Sequence, residues 1–217
     1  MRLYYWLMGL LFPPRCVLCR KVLENEETDL CRSCRLEAPV YSHSKRRPQF
    51  LDSFTAVWYY ESSVRASLLR YKFHAERSYA ASYGRLLAMR LQEEYPEGFD
   101  LLTWVPVSRL RRFRRGYDQV ELLARSVGRE LGMEPVPVLK KIRHNRPQSS
   151  LGSDAVRRAN VLGAYRLKDP ERILGKKVLL LDDILTTGAT VSECARVIRT
   201  AGAKEVHCAA VAAARKR

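Results

Sequence analysis

The sequence predicts an α/β protein: an open, mostly parallel sheet flanked by helices, with a small N-terminal module held by four cysteines. Two observations lead to this expectation. Between residues 53 and 213, short apolar runs rich in β-branched and aromatic residues alternate with stretches of helical periodicity. Before them, residues 16–34 contain two Cys-x2-Cys pairs. The expected division is a module over residues 1–40 and a main domain over residues 53–217, with the polar, basic residues 37–52 as a linker.

Composition and charge limit the classes of function. The chain has 217 residues, 47% of them apolar, which suits one packed domain and a small appendage. Its formal net charge of +16 implies anionic partners such as phosphate compounds, nucleic acid or an anionic surface. The apolar stretch within residues 1–14 is shorter than the roughly 20 residues that a membrane-spanning helix needs. We expect a short amphipathic helix docked on the protein, or one in peripheral contact with a membrane, and a cytoplasmic location.

The four N-terminal cysteines have the spacing of a zinc site. Cys16 and Cys19 form one pair and Cys31 and Cys34 the other, and each Cys-x2-Cys turn directs two thiolates at one metal. Four thiolates complete a tetrahedral shell, so the expected zinc is structural. The alternative is two disulfides in a secreted module, which the lack of a recognisable signal peptide disfavours.

The first elements of the main domain follow from residue type and spacing. SFTAVWYY at residues 53–60 and LLTWV at 101–105 are strand-like, because β-branched and aromatic residues fit a pleated surface. Helices are expected over residues 62–73 and 78–94. A further helix over 117–131 is indicated by apolar residues at helical spacing and by the glycine that follows them.

The middle of the domain is less regular. EPVPVLKKI at residues 134–142 and the segment 161–167 are expected strands, with a short helix over 154–159 between them. The polar segment around residues 143–152 contains proline and glycine, so we expect a mobile loop there.

The C-terminal unit has the clearest pattern. A strand at 177–181, a helix at about 189–201 and a strand at 205–213 have the order of a right-handed parallel crossover. Cys194 falls in the helix and Cys208 in the last strand, so both are expected to be small buried residues.

Two adjacent carboxylates, Asp182 and Asp183, follow the first of these strands in VLLLDDILTTGAT. Ligands of open α/β sheets bind at the carboxyl ends of the strands. The turn that follows leads into a helix N-terminus, where free N–H groups favour an anion. Its candidate phosphate contacts are Thr186, Thr187, Gly188, Ala189 and Thr190. Carboxylates beside a phosphate need sugar hydroxyls or a cation to face, so the residues predict a phosphorylated sugar with Mg²⁺, rather than an N-capped helix alone.

VLLLDDILTTGAT resembles the phosphoribosyl pyrophosphate signature of type I phosphoribosyltransferases. Four further segments resemble the ComF/ComFC branch of that family, which is associated with natural transformation in bacteria: PPRCVLC, LLRYKF, VPVSRLRRFRRGYDQVELLA and RPQSSLGSDAVRRANVLGAY. Together they extend over nearly the whole chain. One departure is Asp118 in RGYDQ, where the expected residue is asparagine, so no specific role is carried over to residue 118.

The resemblance implies a type I phosphoribosyltransferase fold and roles for the C-terminal motif. Asp182 and Asp183 would hold the ribose 2′- and 3′-hydroxyls, and residues 186–190 would hold the 5′-phosphate. The chemistry would be displacement of pyrophosphate from the anomeric carbon by a nitrogen nucleophile, with Mg²⁺ and cationic side chains stabilising the leaving group.

The resemblance also implies a pyrophosphate loop after the strand at 101–105. The N–H groups of Val107 and Ser108 and the side chain of Arg109 would face the leaving group, and Lys72 would reach it as well. The mobile segment 143–152 would close over the site.

The stretch SRLRRFRR at residues 108–115 is strongly basic. Together with Lys140, Lys141, Arg143 and Arg146, it predicts a surface that binds the backbone of single-stranded DNA without base readout. The alternative is a solvated charged face with no ligand.

Two functions are therefore in competition. The favoured one is a protein of DNA uptake that binds phosphoribosyl pyrophosphate and single-stranded DNA and works with other proteins of the uptake machinery. The alternative is an active phosphoribosyltransferase of nucleotide or base metabolism with a nitrogen acceptor. After EVHCAAVAAARKR, residues 205–217, no base-binding segment is recognisable, which favours the first.

Overall fold

The structure, a computed structural model, describes residues 13–24, 26–42, 48–74, 76–143 and 154–215. The expected N-terminal helix and almost all of the expected mobile loop lie outside these ranges. The helices are α1 Arg32–Glu37, α2 Ser62–Phe73, α3 Tyr79–Glu94, α4 Arg109–Arg115, α5 Gln119–Leu131, α6 Asp154–Val161 and α7 Ala189–Thr200. The strands are β1 Ser53–Tyr59, β2 Leu101–Trp104, β3 Leu139–Lys141, β4 Tyr165–Leu167, β5 Lys177–Leu185 and β6 Glu205–Ala213.

Four strands form the main sheet in the order β1-β6-β5-β2, and each neighbouring pair is parallel. The expected open parallel sheet is thus confirmed. The strands β3 and β4 pair antiparallel in a separate ribbon and are shorter than predicted. Pro135 and Pro137 lack the N–H that a strand ladder needs, and Gly163, at φ 68°, turns the chain just before β4.

Helices cover both faces of the main sheet, as the sequence predicts. Because side chains alternate along a strand, Leu179 of β5 packs against α3 and α5 on one face. Leu180 packs in the opposite layer with α7. Cys194 and Cys208 are buried in this second layer, which confirms their predicted position.

The N-terminal module packs directly on α2 and α3. Val17 and Leu18 are buried in the same apolar cluster as Leu68 of α2 and Tyr83 of α3. The module therefore contributes to the core beneath one face of the sheet. The division into units 1–40 and 53–217 remains a prediction.

The described part of the expected linker lies along β1. Val40 forms an antiparallel bridge with Trp58, and the Tyr41 N–H donates to the Val57 carbonyl oxygen at 3.0 Å. The Tyr41 ring packs edge-on against Phe54, with 5.6 Å between centroids. These contacts fix the chain between the module and the sheet.

The strand β5 is four residues longer at its C-terminal end than predicted, so it includes both aspartates. The reason is its neighbour: β6 continues alongside, with Asp182 opposite Ala210 and Leu185 opposite Ala213. On the other side, β2 ends at Trp104, opposite Leu181. The loop after β2 therefore begins beside Asp182.

Candidate ligand-binding site

A cavity of about 950 Å³ opens at the carboxyl ends of β2 and β5. Its walls come from α2, the loop after β2, α4, α5 and the β3–β4 ribbon. It brings together these predicted ligand residues: Lys72, Val107, Asp182, Asp183, Thr186 and Thr190. The position is the one where open parallel sheets bind their ligands.

Asp183 is held from two helices. It is only 3% exposed, with Lys72 Nζ of α2 lying 2.9 Å from its Oδ1. Gln119 of α5 donates from Nε2 to Oδ2 at 3.0 Å. Within the described residues, Gln119 Oε1 is buried and accepts no hydrogen bond. Since buried polar atoms are normally paired, this oxygen offers a place for a hydroxyl donor of a ligand.

Asp182 lies on the opposite face of β5, because successive side chains of a strand alternate. Its Oδ1 accepts the N–H of Asp183 at 2.8 Å. Burial, followed by the charge of Asp183, raises the pKa of Asp182 to about 8. The two carboxylates therefore have different surroundings, and Asp182 is mostly protonated at neutral pH.

Lys141 is a cavity residue that the sequence did not identify as such. Its Nζ donates to the Tyr165 hydroxyl at 3.2 Å and lies 5.0 Å from the centre of that ring. Burial, with a smaller effect of Arg111, lowers the pKa of Lys141 to about 8. A lysine of lowered pKa and a carboxyl of raised pKa in one cavity are typical of a functional site. Only the fold shows this, since β3 turns Lys141 inward.

The loop after β5 forms a niche of about 30 Å³ at the N-terminus of α7, lined by Asp182 and residues 184–191. Gly188 precedes the helix at φ 79°, and a Cβ there would lie 2.9 Å from Pro48 Cγ. The Ala189 N–H donates to Thr187 Oγ1 at 3.3 Å. The shape and the helix N-terminus suit a single phosphate group.

The loop after β2 differs from the expected pyrophosphate loop in detail. The N–H of Val107 donates to Asp118 Oδ2 at 3.1 Å, so this donor already has a partner. Ser108 caps α4, with its Oγ accepting the N–H of Arg111 at 3.4 Å. Of the described residues, neither Ser108 nor Arg109 lines the cavity, and Arg109 is exposed.

The basic stretch forms the helix α4, which the sequence did not predict. Arg111, Arg114 and Arg115 have the spacing of one helical face and line the cavity. Arg112 lies away from this face, with Nη1 3.3 Å from a carboxylate oxygen of Glu121. The cationic wall of the cavity is therefore built by α4 rather than by Arg109.

Asp118, whose role the sequence left undefined, joins the loop after β2 to α5. Its Oδ1 accepts the N–H groups of Val120 and Glu121 at 3.0 and 3.1 Å, which caps α5, while Oδ2 holds Val107. Burial raises the pKa of Asp118 in spite of these donors. The signal was present in the sequence, since aspartate just before an amphipathic run is a typical N-cap.

The four N-terminal cysteines are brought together as predicted. Their Sγ atoms all lie within 4.8 Å of one another, and Cys19 and Cys31 Sγ are 3.6 Å apart. Tetrahedral zinc with thiolates at about 2.3 Å needs separations of about 3.8 Å, so the cluster fits zinc. All six cysteines of the chain are free thiols. Cys34 lies on α1 and Cys31 is its N-cap residue, so the second pair sits at a helix start.

Comparison with family models identifies both parts of the chain. Residues 115–217 match the phosphoribosyl transferase domain, and residues 7–45 match the double zinc ribbon domain. The first match includes Asp182, Asp183 and the niche at α7. The second includes the four cysteines.

Several bacterial proteins are similar over most of their length. Competence protein F of Haemophilus influenzae is 25% identical, with 88% of this chain and 93% of that protein aligned. DNA utilization protein YhgH of Escherichia coli strain K12 is 28% identical, with 88% of this chain and 86% of that protein aligned. Competence protein ComFC of Streptococcus pneumoniae is 29% identical, with 87% of this chain and 77% of that protein aligned. Together with the matched phosphoribosyl transferase domain, these relatives support the assignment of the chain as a ComF-type protein of the phosphoribosyltransferase family.

Among solved structures, the chain is similar to glutamine phosphoribosylpyrophosphate amidotransferase from B. subtilis. The identity is 21% and the TM-score 0.44, over 66% of this chain and 30% of that one. In the described part of the chain, no helix is long and apolar enough to cross a membrane.

Proposed function

We propose that this protein binds phosphoribosyl pyrophosphate with Mg²⁺ in the cavity and single-stranded DNA on α4, and that it acts in DNA uptake during natural transformation. The observation that carries the proposal is the convergence of Asp183, Asp182 and the niche at residues 186–190 on one cavity with a cationic wall. The names of the competence relatives support the cellular role. A reduced four-cysteine cluster is in keeping with a cytoplasmic location.

The ligand can be assigned to the site group by group. Residues 186–190 hold the 5′-phosphate at the helix N-terminus. Asp183 and Gln119 Oε1 take the ribose hydroxyls, and Asp182 would hold a further hydroxyl or Mg²⁺, whose charge would favour the ionised form of this carboxyl. The pyrophosphate faces Lys72 and the cavity arginines of α4. In this assignment α4, rather than Arg109, neutralises the pyrophosphate.

The ligand proposal is tested with the double variant Asp182→Asn, Asp183→Asn. It removes two acceptors for the sugar and barely changes side-chain size, so we expect phosphoribosyl pyrophosphate to bind at least about tenfold more weakly. Thr187→Val removes only a hydroxyl and should weaken binding separately. Calorimetric titration with Mg²⁺ present measures both effects.

A matched control is Asp100→Asn, at the opposite end of the sheet, where Asp100 accepts the Lys177 N–H at 2.8 Å. It should bind the ligand as the parent does. If the double variant folds, retains its zinc and binds as tightly as the parent, the two carboxylates do not hold the sugar.

The DNA proposal is tested with the triple variant Arg111→Ala, Arg112→Ala, Arg114→Ala, without phosphoribosyl pyrophosphate. Binding to phosphates is salt-dependent and insensitive to sequence, so both the affinity and the slope of log K against log salt should fall. Arg172→Ala, Lys176→Ala, Lys204→Ala removes the same charge from exposed positions at the other end of the sheet. Equal binding by both triple variants would place the DNA surface elsewhere.

Turnover is the second candidate, and one observation favours it. Part of the cavity wall is apolar and aromatic, with Tyr60, Leu69 and Phe73, and could receive a flat nitrogen acceptor. The acceptor nitrogen would bond to the anomeric carbon, pyrophosphate would leave, and the nitrogen would release its proton to solvent. Pyrophosphate release in the presence of bases, nucleotides or DNA decides between an enzyme and a binding protein.

A further inference from the structure

The outward face of α4 carries an exposed aromatic side chain. Phe113 lies on the opposite side of the helix from Arg111 and Arg115 and is 87% exposed, the highest value among the large apolar side chains described. Leu110 is exposed beside it, one helical turn earlier. A phenylalanine in a core would contribute about 1.5–3 kcal/mol by burial, which this one does not.

A second exposed ring lies at the rim of the cavity. Phe73, the last residue of α2, is 62% exposed and lines the cavity mouth. The guanidinium of Arg115 lies over its ring, 4.9 Å from the centre. Arg115 comes from the same helix as Phe113, so α4 connects the two aromatic positions.

The positive charge near these rings favours a polyanion as the binding partner. The helix α4 contains five arginines and no acidic residue. Among the described residues, Arg111 and Arg114 form no ion pair, whereas Arg112 is paired with Glu121. Exposed aromatic rings on and beside a helix that carries unpaired arginines form a combination by which proteins bind single-stranded nucleic acid, with bases stacked on rings and phosphates on cations.

We infer that Phe113 and Phe73 are stacking platforms for the nucleobases of single-stranded DNA. The inference rests on the proposed DNA-binding function and adds to it that the bases, not only the backbone, are bound. A strand on the outer face of α4 then passes Phe113 and reaches the cavity mouth at Phe73. Duplex DNA, whose base faces are covered, binds through its phosphates alone.

The experiment compares three probes of equal length: an oligothymidine of about 20 nucleotides, the same strand with abasic sugars, and a duplex. Fluorescence anisotropy should show the parent binding the oligothymidine tightest. Phe113→Ala should lower this affinity about tenfold, leave the abasic strand unaffected and keep the salt slope, since no phosphate contact is lost. Phe73→Ala should act in the same direction. Phe113→Trp should retain affinity, and its indole fluorescence should be quenched by the strand.

Phe50→Ala is the matched control, because Phe50 is 48% exposed and lies far from α4 in sequence, beside Arg199 of α7. It should bind all three probes as the parent does. Unchanged oligothymidine binding by Phe113→Ala, or an equal loss on the abasic strand, overturns the stacking inference and leaves the proposed function intact. A parent protein that binds none of the probes overturns both.

Discussion

The two adjacent aspartates of β5 show how a strand gives identical residues different chemistry. Asp183 lies beside the Lys72 ammonium and accepts from Gln119, so its charge is compensated. Asp182, on the other face, accepts a backbone N–H, is repelled by Asp183 and is attracted by Lys72, and within the described residues it forms no ion pair. Burial and this repulsion outweigh the attraction of Lys72 and raise the pKa of Asp182 to about 8, so Asp182 keeps its proton at neutral pH. The ligand or its metal must supply the missing compensation.

The raised pKa of Asp182 should make the free energy of unfolding depend on pH. The folded state keeps the proton of Asp182 up to about pH 8, whereas an ordinary aspartate loses it near pH 3.8. The parent is therefore stabilised at low pH, and this contribution is lost as the pH rises from about 4 to about 8. Asp182→Asn cannot lose a proton, so relative to the parent its free energy of unfolding should gain at least about 1 kcal/mol between about pH 5 and pH 8.

Chemical denaturation of the parent and of Asp182→Asn at both pH values measures this difference. Other titrating groups, including the cysteines, are common to the two proteins and cancel. Asp100→Asn should follow the parent. Parallel pH profiles for Asp182→Asn and the parent would show that Asp182 is ionised in the folded protein throughout.

The local sequence pattern was sufficient to predict those helices and strands whose bounds are set by interactions between residues close in sequence. The helices α2, α3, α5 and α7 and the strands β1, β2 and β6 lie close to their expected bounds. The length of β5 depended instead on its pairing with β6. The β3–β4 ribbon is short because proline residues before β3 and a glycine before β4 limit the pairing. The carboxylates and the niche were predictable because a strand, a turn and a helix follow one another in sequence.

The remaining site residues depend on contacts distant in sequence. Lys141 reaches the cavity through the ribbon, and Gln119 meets Asp183 across 64 positions. The positive charge of the basic stretch was evident from the sequence. Which arginines line the cavity was not, because that depends on how α4 is oriented about its axis. Such placements come from tertiary packing, which no local pattern contains.

Asp118 gives a prediction at the element scale, because one side chain holds a helix start and a loop. Asp118→Ala removes the cap of α5 and the acceptor of Val107, and should cost about 1–2 kcal/mol of stability. Asp118→Asn retains the cap through its carbonyl oxygen, while its NH₂ group cannot accept from Val107. It should therefore cost less, and the released Val107 N–H should strengthen pyrophosphate binding.

Urea denaturation and calorimetry with inorganic pyrophosphate test this pair of variants. The order of stability should be parent, then Asp118→Asn, then Asp118→Ala. Equal destabilisation by the two substitutions would mean that the contact to Val107, rather than the cap, supplies the stability.

At the scale of the whole molecule, α2 connects the cysteine module to the ligand site. On one side of the helix, the Ser67 hydroxyl donates to the Val17 carbonyl and Arg70 donates to the Leu18 carbonyl, both within the first cysteine knuckle. At its C-terminal end, Lys72 pairs with Asp183. The backbone of the metal knuckle is thus two residues along α2 from the cation of the cavity.

Loss of zinc should therefore weaken binding at the ligand site. Cys31→Ser removes one of four ligands, so zinc content should fall and the first 40 residues should become sensitive to protease. Because α2 then loses its support, phosphoribosyl pyrophosphate should bind several-fold more weakly. Cys194→Ala, which removes a thiol outside the cluster, should retain zinc.

The double variant Ser67→Ala, Arg70→Ala separates the metal from its contact with α2. It leaves the four cysteines in place, so zinc should stay bound. The binding of phosphoribosyl pyrophosphate should nevertheless be weakened about as much as in Cys31→Ser, because both changes release α2 from the knuckle. Metal analysis and calorimetry on the same samples measure the two effects. If Cys31→Ser loses its zinc and binds phosphoribosyl pyrophosphate as tightly as the parent, the module only stabilises its own end of the chain and the α2 connection carries no positioning role.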